Sequence, residues 1–164
     1  MKHLSLRGLT LLELAIAIAV LAVLGALAVP GFNSQLDQQR LRSTAEALLA
    51  DVNEARFEAA RQGRTMHVVM NGGAAWCWAV TTEPDCPCGQ GQACELRHAL
   101  PRDHAGVQLL EAATVQLLAN GRAESASSVT FESRRGARLR VDVQLLGRAR
   151  ICAPTATTDR YPAC

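Results

Sequence analysis

The sequence has 164 residues, 49% of them hydrophobic but only six aromatic, which leaves room for one small domain filled mainly by Leu, Val and Ala. Its formal charge of +2 is unevenly spread: loss of residues 1–8 would remove Lys2 and Arg7 and leave 15 arginines against 15 acids, whereas residues 134–164 hold seven arginines against Asp142 and Asp159. A uniformly basic nucleic-acid binder is excluded, but a protein with one basic face is not.

Residues 1–8, MKHLSLRG, are short and basic, and Leu9 to Val29 are apolar except for Thr10 and Glu13. As a helix these 21 residues rise about 31 Å, close to the roughly 30 Å of bilayer hydrocarbon. The preceding positive charges favour a cytoplasmic N-terminus, with the rest of the chain across the membrane. A secretory signal peptide cut near Ala26 or Ala28 is the competing reading. Against it stands Glu13, because a charge at mid-bilayer costs about 3 kcal/mol on insertion scales. A signal peptide gains nothing from that cost. A subunit that leaves the bilayer and packs into a filament does, if another chain's α-amino group neutralises the acid.

From Leu36 a second helical pattern begins. Leu41, Ala45, Leu48, Val52, Ala55 and Ala59 recur at spacings of four and three, one stripe of a 3.6-residue helix, with Asp37, Arg40, Glu46, Asp51, Glu54 and Arg61 turned largely away. Gly63 is the expected stop, and Pro30–Gly31 predicts a kink or local melting. The domain boundaries follow: a leader at 1–8, a transmembrane or filament-core helix at 9–30, its amphipathic continuation at 31–63, and a β-rich domain at 64–164.

Strand-like runs follow at 65–70, 74–80, 107–110, 115–118, 128–132, 137–146 and 148–152, separated by turn residues such as Asn71–Gly73 and Gly136. Trp76, Trp78 and Val80 share one side of their run, opposite Cys77. In 137–143, Leu139, Val141 and Val143 alternate with Arg138, Arg140 and Asp142, which predicts an antiparallel sheet with one wet face.

The six cysteines Cys77, Cys86, Cys88, Cys94, Cys152 and Cys164 invite disulfides in an exported domain, with fifteen complete pairings open. Cys152 with Cys164 is the simplest pair, closing a loop worth about 3 kcal/mol. The alternative use, zinc on Cys86, Cys88, Cys94 and His98, lacks the paired-knuckle spacing, so no metal is assigned. No cofactor and no enzyme motif emerge: His67 stands within a strand, and His104 beside Asp103 lacks a nucleophile.

Arg148 and Arg150 are two apart, as are Arg138 and Arg140 on the preceding run, so each pair would project from one strand face. If the two strands form a hairpin and share that face, four cations lie within reach of successive phosphates, giving salt-dependent attraction without base reading.

The stretch RGLTLLELAIAIAVLAVLGALAVPGF resembles the class III signal of type IV pilins and pseudopilins. Gly8 matches the residue before the prepilin-peptidase cut, Leu9 the new, usually N-methylated terminus (here Leu in place of the usual Phe), and Glu13 the fifth mature residue. The whole chain resembles the GspH/FimT group of minor pilins and pseudopilins, the GRxR segment being Gly147 to Arg150. That resemblance implies a pilin-like α+β fold, a long N-terminal helix with a transmembrane first half packed on a small antiparallel β-rich domain. It also implies a non-enzymatic subunit in the bacterial inner membrane with a periplasmic C-terminal domain, partnered by other pilins and the prepilin peptidase. The FimT-like branch implies initiation of a type IV pilus and binding of extracellular double-stranded DNA for natural transformation. The GspH-like alternative is a minor pseudopilin of type II secretion with no DNA role.

Overall fold

The computed structural model describes residues 10–155 and 160–164, and for residues 27–31 the backbone alone. Gly8 and Leu9 lie outside the described residues. The chain divides into two compact units, up to Leu36 and from Asp37 onward.

One helix, α1, covers Leu11–Gln62. It starts with the Thr10 hydroxyl accepting the Glu13 N–H at 3.2 Å, an N-cap that satisfies one orphan donor. At residues 11–26 the apolar side chains are exposed, from Leu11 at 86% to Val20 at 52%. Among the described residues no helix is long and apolar enough to cross a membrane. The local melting expected at Pro30–Gly31 is absent, and helix continues through both residues. A proline removes one hydrogen bond from the ladder, and the adjoining turns keep theirs.

In the second unit the predicted stripe is the buried face of α1: Leu41, Ala45, Leu48, Val52, Ala55 and Ala59 are all at most 1% exposed. The helix stops at Gly63, whose φ of 64° an L side chain resists, while Arg64 donates its N–H to the Ala59 carbonyl at 3.2 Å. This is the Schellman bond that satisfies a terminal carbonyl.

Eight strands follow: β1 (Met66–Asn71), β2 (Cys77–Thr81), β3 (Glu95–Ala99), β4 (Val107–Glu111), β5 (Val115–Leu117), β6 (Ser127–Ser133), β7 (Arg138–Val143) and β8 (Ala149–Cys152). They form two four-stranded antiparallel sheets, ordered β3-β2-β1-β5 and β4-β6-β7-β8. The single sheet expected from alternation is thus two, because which strand pairs with which is a long-range choice. Both sheets contribute to one core with the stripe of α1, through Met66, Trp78, Phe131, Leu139 and Val141 among others. On β7 the wet face is as patterned, with Leu139, Val141 and Val143 buried and Arg138, Arg140 and Asp142 facing outward.

Strand β2 is buried along its whole length. Trp78 and Val80 enter the core, while Cys77 turns outward and is bonded to Cys88; Cys86 is bonded to Cys94. The loop between β2 and β3 is therefore stapled against the outer side of β2. Inside that loop the Glu95 carboxylate accepts the N–H groups of Gly89 and Gly91, both at 2.6 Å.

Cys152 is bonded to Cys164. The chain end returns along Ala153, whose N–H donates to the Pro162 carbonyl at 2.8 Å, and Tyr161 donates its hydroxyl to Glu46 on α1 at 2.6 Å. Burial, then the Glu46 carboxylate, push the Tyr161 pKa up to about 12.

Candidate functional site: the arginine hairpin

Strands β7 and β8 are joined by a tight hairpin in which Gly147 donates its N–H to the Gln144 carbonyl at 2.7 Å and Gln144 donates to the Arg148 carbonyl at 2.9 Å. Gly147 has φ 73° and is buried against the Gly121 carbonyl and the Arg56 side chain. Arg56, on α1, donates from Nε to that same carbonyl at 2.9 Å, and Ala123 donates its N–H to the Leu145 carbonyl at 3.1 Å. The helix, the segment around Gly121 and the hairpin are thus bolted together where the GRxR segment begins.

Arg148 leaves this brace exposed, its guanidinium without a hydrogen bond or ion pair among the described residues. It precedes β8 rather than lying on it. Arg150 is on β8, opposite Asp142, with Nη2 3.4 Å from Asp142 Oδ2. Arg140 Nε lies 2.8 Å from Asp142 Oδ1, yet is not aligned to hydrogen-bond it. Arg138 donates from Nε to Glu132 Oε1 at 2.8 Å.

The four arginines therefore do not form one free cationic face. Arg138 is paired with Glu132 on β6 and Arg140 lies against Asp142 on its own strand, and Arg138 stands about 17 Å along β7 from the hairpin. Exposed pairs of this kind are worth at most about 1 kcal/mol, so an incoming phosphate can compete for Arg150. The sequence places Asp142 on the strand face of Arg138 and Arg140, but neither its pairing with Arg140 and Arg150 nor that of Glu132 with Arg138 is legible there. The i, i+2 spacing of Arg140 and Asp142 is what sets both on that one face.

The residues weighed for catalysis have other occupations. The Thr44 hydroxyl gives its proton to the Arg40 carbonyl at 2.8 Å, so it must accept from His104 Nδ1, 3.1 Å away, which sets the tautomer. The His104 ring packs 5.2 Å from Trp78 and 6.0 Å from Trp76. Asp103 caps the Leu100 N–H at 3.0 Å. His67 is buried in β1. Cys86, Cys88 and Cys94, the thiols of the zinc alternative, are all in disulfides, and no group of metal-ligating side chains occurs among the described residues.

Burial holds the His104 pKa below its ordinary 6.5, against the smaller opposing pull of Asp103 and Asp51. His67 is lowered in the same way, with Glu124 and Asp85 opposing. The unfolded chain, with ordinary values, takes up protons first as pH falls. The contribution to stability is full above about pH 6.5 and is lost as pH drops from there through the folded pKa values. The urea midpoint should therefore be lower at about pH 5 than at about pH 7.5, and less so in His104→Gln. A drop of undiminished size in that variant would acquit His104.

An amphipathic helix packed on antiparallel sheets, continued at its N-terminal end by an apolar segment, defines a pilin-like filament subunit. Residues 44–147 match the family described as Type II transport protein GspH, and the chain belongs to it as a minor pilin or pseudopilin of the GspH/FimT kind. The fold is similar to that of the type IV minor pilin FimU of Pseudomonas aeruginosa (18% identity, 70% of this chain and 89% of that one, TM-score 0.53). It is also similar to the minor pseudopilin EpsH from the type 2 secretion system of Vibrio cholerae (16% identity, 70% and 98%, TM-score 0.52). No curated protein sequence matches this one.

Proposed function

We propose that the chain is a non-enzymatic minor pilin, cut by a prepilin peptidase between Gly8 and Leu9 and held in the inner membrane by residues 9–30. It is then drawn into a type IV pilus, where it offers Arg148 and Arg150 to double-stranded DNA. The observation that carries the filament reading is the apolar stretch of α1 at residues 11–26, exposed on every side and interrupted by one charge, Glu13. Such a surface needs lipid or other apolar helices around it, and its single acid needs a cation.

Glu13→Gln should insert normally and fail to assemble. Losing one partner of a buried pair costs about 3 to 5 kcal/mol, more than a hundredfold in incorporation. The measurement is the ratio of variant in sheared filaments to variant in membranes, and a wild-type ratio would sink the role given to Glu13.

For DNA, the support is the exposed and unpaired Arg148 beside Arg150. Replacing both by Gln in residues 31–164 should weaken duplex binding and lower its salt slope by about two, one for each lost phosphate contact. Arg138→Gln should change little. Equal affinity for the double variant would instead favour a pseudopilin of type II secretion with no DNA role. That second reading is supported by the carboxylates already paired with Arg138, Arg140 and Arg150.

A further inference from the structure

Two groups of arginines lie at different places along the globular unit. The hairpin of Arg148 lies beside Arg56, while the turn between β6 and β7 lies beside Asp37, where the unit begins. Nineteen helical residues, about 28 Å of α1, separate those two positions.

At the Asp37 end, Arg135 Nε is 3.4 Å from Asp37 Oδ2 and Arg40 Nη1 is 3.9 Å from Oδ1 of the same carboxylate. Arg102 Nε is 3.9 Å from Asp103 Oδ1. Arg134 has no ion pair or hydrogen bond among the described residues; it crosses Gly106 so closely that a Cβ there would come within 2.6 Å of its Nε. These four arginines and two aspartates leave an excess of two positive charges. Arg134 also borders an open cavity of about 670 Å³ whose walls include Trp76, Pro101, Leu109 and Leu110, with no acid among its lining residues. A fixed cation beside an apolar wall fits a phosphate ester with an apolar body better than a bare polyanion.

The position of this end selects the source of such phosphates. The apolar run closes at Val29, and Asp37 follows eight residues later. Eight residues reach at most about 28 Å in any conformation. We propose that the Asp37 end of the domain docks on anionic phospholipid headgroups, with Arg134 and Arg135 taking the phosphates and the exposed Leu110 facing the glycerol region. This rests on the reading of residues 9–30 as a membrane anchor. Docking holds the subunit on the bilayer before assembly and leaves the hairpin of Arg148 at the opposite end.

The test uses the full chain in nanodiscs of phosphatidylcholine, alone or with phosphatidylglycerol, followed by backbone hydrogen exchange. Phosphatidylglycerol should slow exchange in residues 101–106 and 133–137 by up to about thirtyfold, the ceiling for two arginines at a charged surface. High salt and the double variant Arg134→Gln, Arg135→Gln should abolish the effect, whereas Arg148→Gln should preserve it. Unchanged exchange in β2 and the helical stripe checks that the variants are folded. Equal exchange in both lipid compositions overturns the proposal alone, as does slowing by duplex DNA in neutral discs in place of phosphatidylglycerol. A chain that enters neither disc overturns the anchor reading and the proposal together.

Discussion

Trp78→Ala is expected to destabilise the globular unit by about 3 to 5 kcal/mol, the usual cost of deleting a fully buried large aromatic ring. Trp78 has no exposed surface. Its ring stacks on Trp76 with centroids 5.5 Å apart and meets Phe131 edge-on at 5.7 Å. The indole N–H donates to Asp51 Oδ2 on α1 at 2.7 Å, so one side chain ties a sheet to the helix by packing and by a charge-assisted bond. Trp78→Phe separates the two contributions. It keeps most of the packing and deletes the bond, whose loss costs about 1.5 to 3 kcal/mol when the acceptor is ionised. Asp51 retains Arg97 at 3.2 Å, which places the Phe variant near the lower figure. Guanidinium unfolding of the oxidised protein gives both numbers. Equal costs for Ala and Phe would mean that the hydrogen bond, and not the ring stack, dominates.

Packing of this kind explains what could be read in advance. The stripe from Leu41 to Ala59 was legible because a helix buried on one side imprints its 3.6-residue period on the sequence, and β7 because a half-buried strand imprints a period of two. Strand β3 carries neither mark. Its Leu96, Arg97 and His98 are all exposed, and it is held by pairing with β2 and by the neighbouring disulfides. Pairings such as β1 with β5 are choices across the chain that no local pattern records. The same holds for the bond from Trp78 to Asp51.

The arginine segment was half legible for the same reason. A spacing of two places Arg148 and Arg150 on one strand face only if both are in the strand, and the hairpin leaves Arg148 in the turn. Likewise, Asp142 meets Arg150 because the length of the hairpin sets the register. The segment is thus one turn cation followed by a half-neutralised strand cation. Its most constrained member is the glycine in front of them.

Gly147→Val should cost roughly 3 to 5 kcal/mol, from up to about 3 kcal/mol of left-handed backbone strain and about 1 to 3 kcal/mol of overpacking. The strain follows from φ 73°, which a β-branched residue adopts only with difficulty. The overpacking follows from the buried contact with the Gly121 carbonyl, which Arg56 already holds in place by its hydrogen bond. Relief requires the hairpin to move away from the segment around Gly121, carrying Arg148 with it. The variant should therefore unfold at lower guanidinium concentration and, where still folded, lose duplex affinity to the same extent as Arg148→Gln. Gly136→Val is the matched control: Gly136 also has a positive φ, 79°, but nothing stands within 4 Å of an added Cβ, so only the strain remains. If Gly147→Val were no more costly than Gly136→Val, the brace between α1 and the hairpin would not be what fixes the GRxR segment.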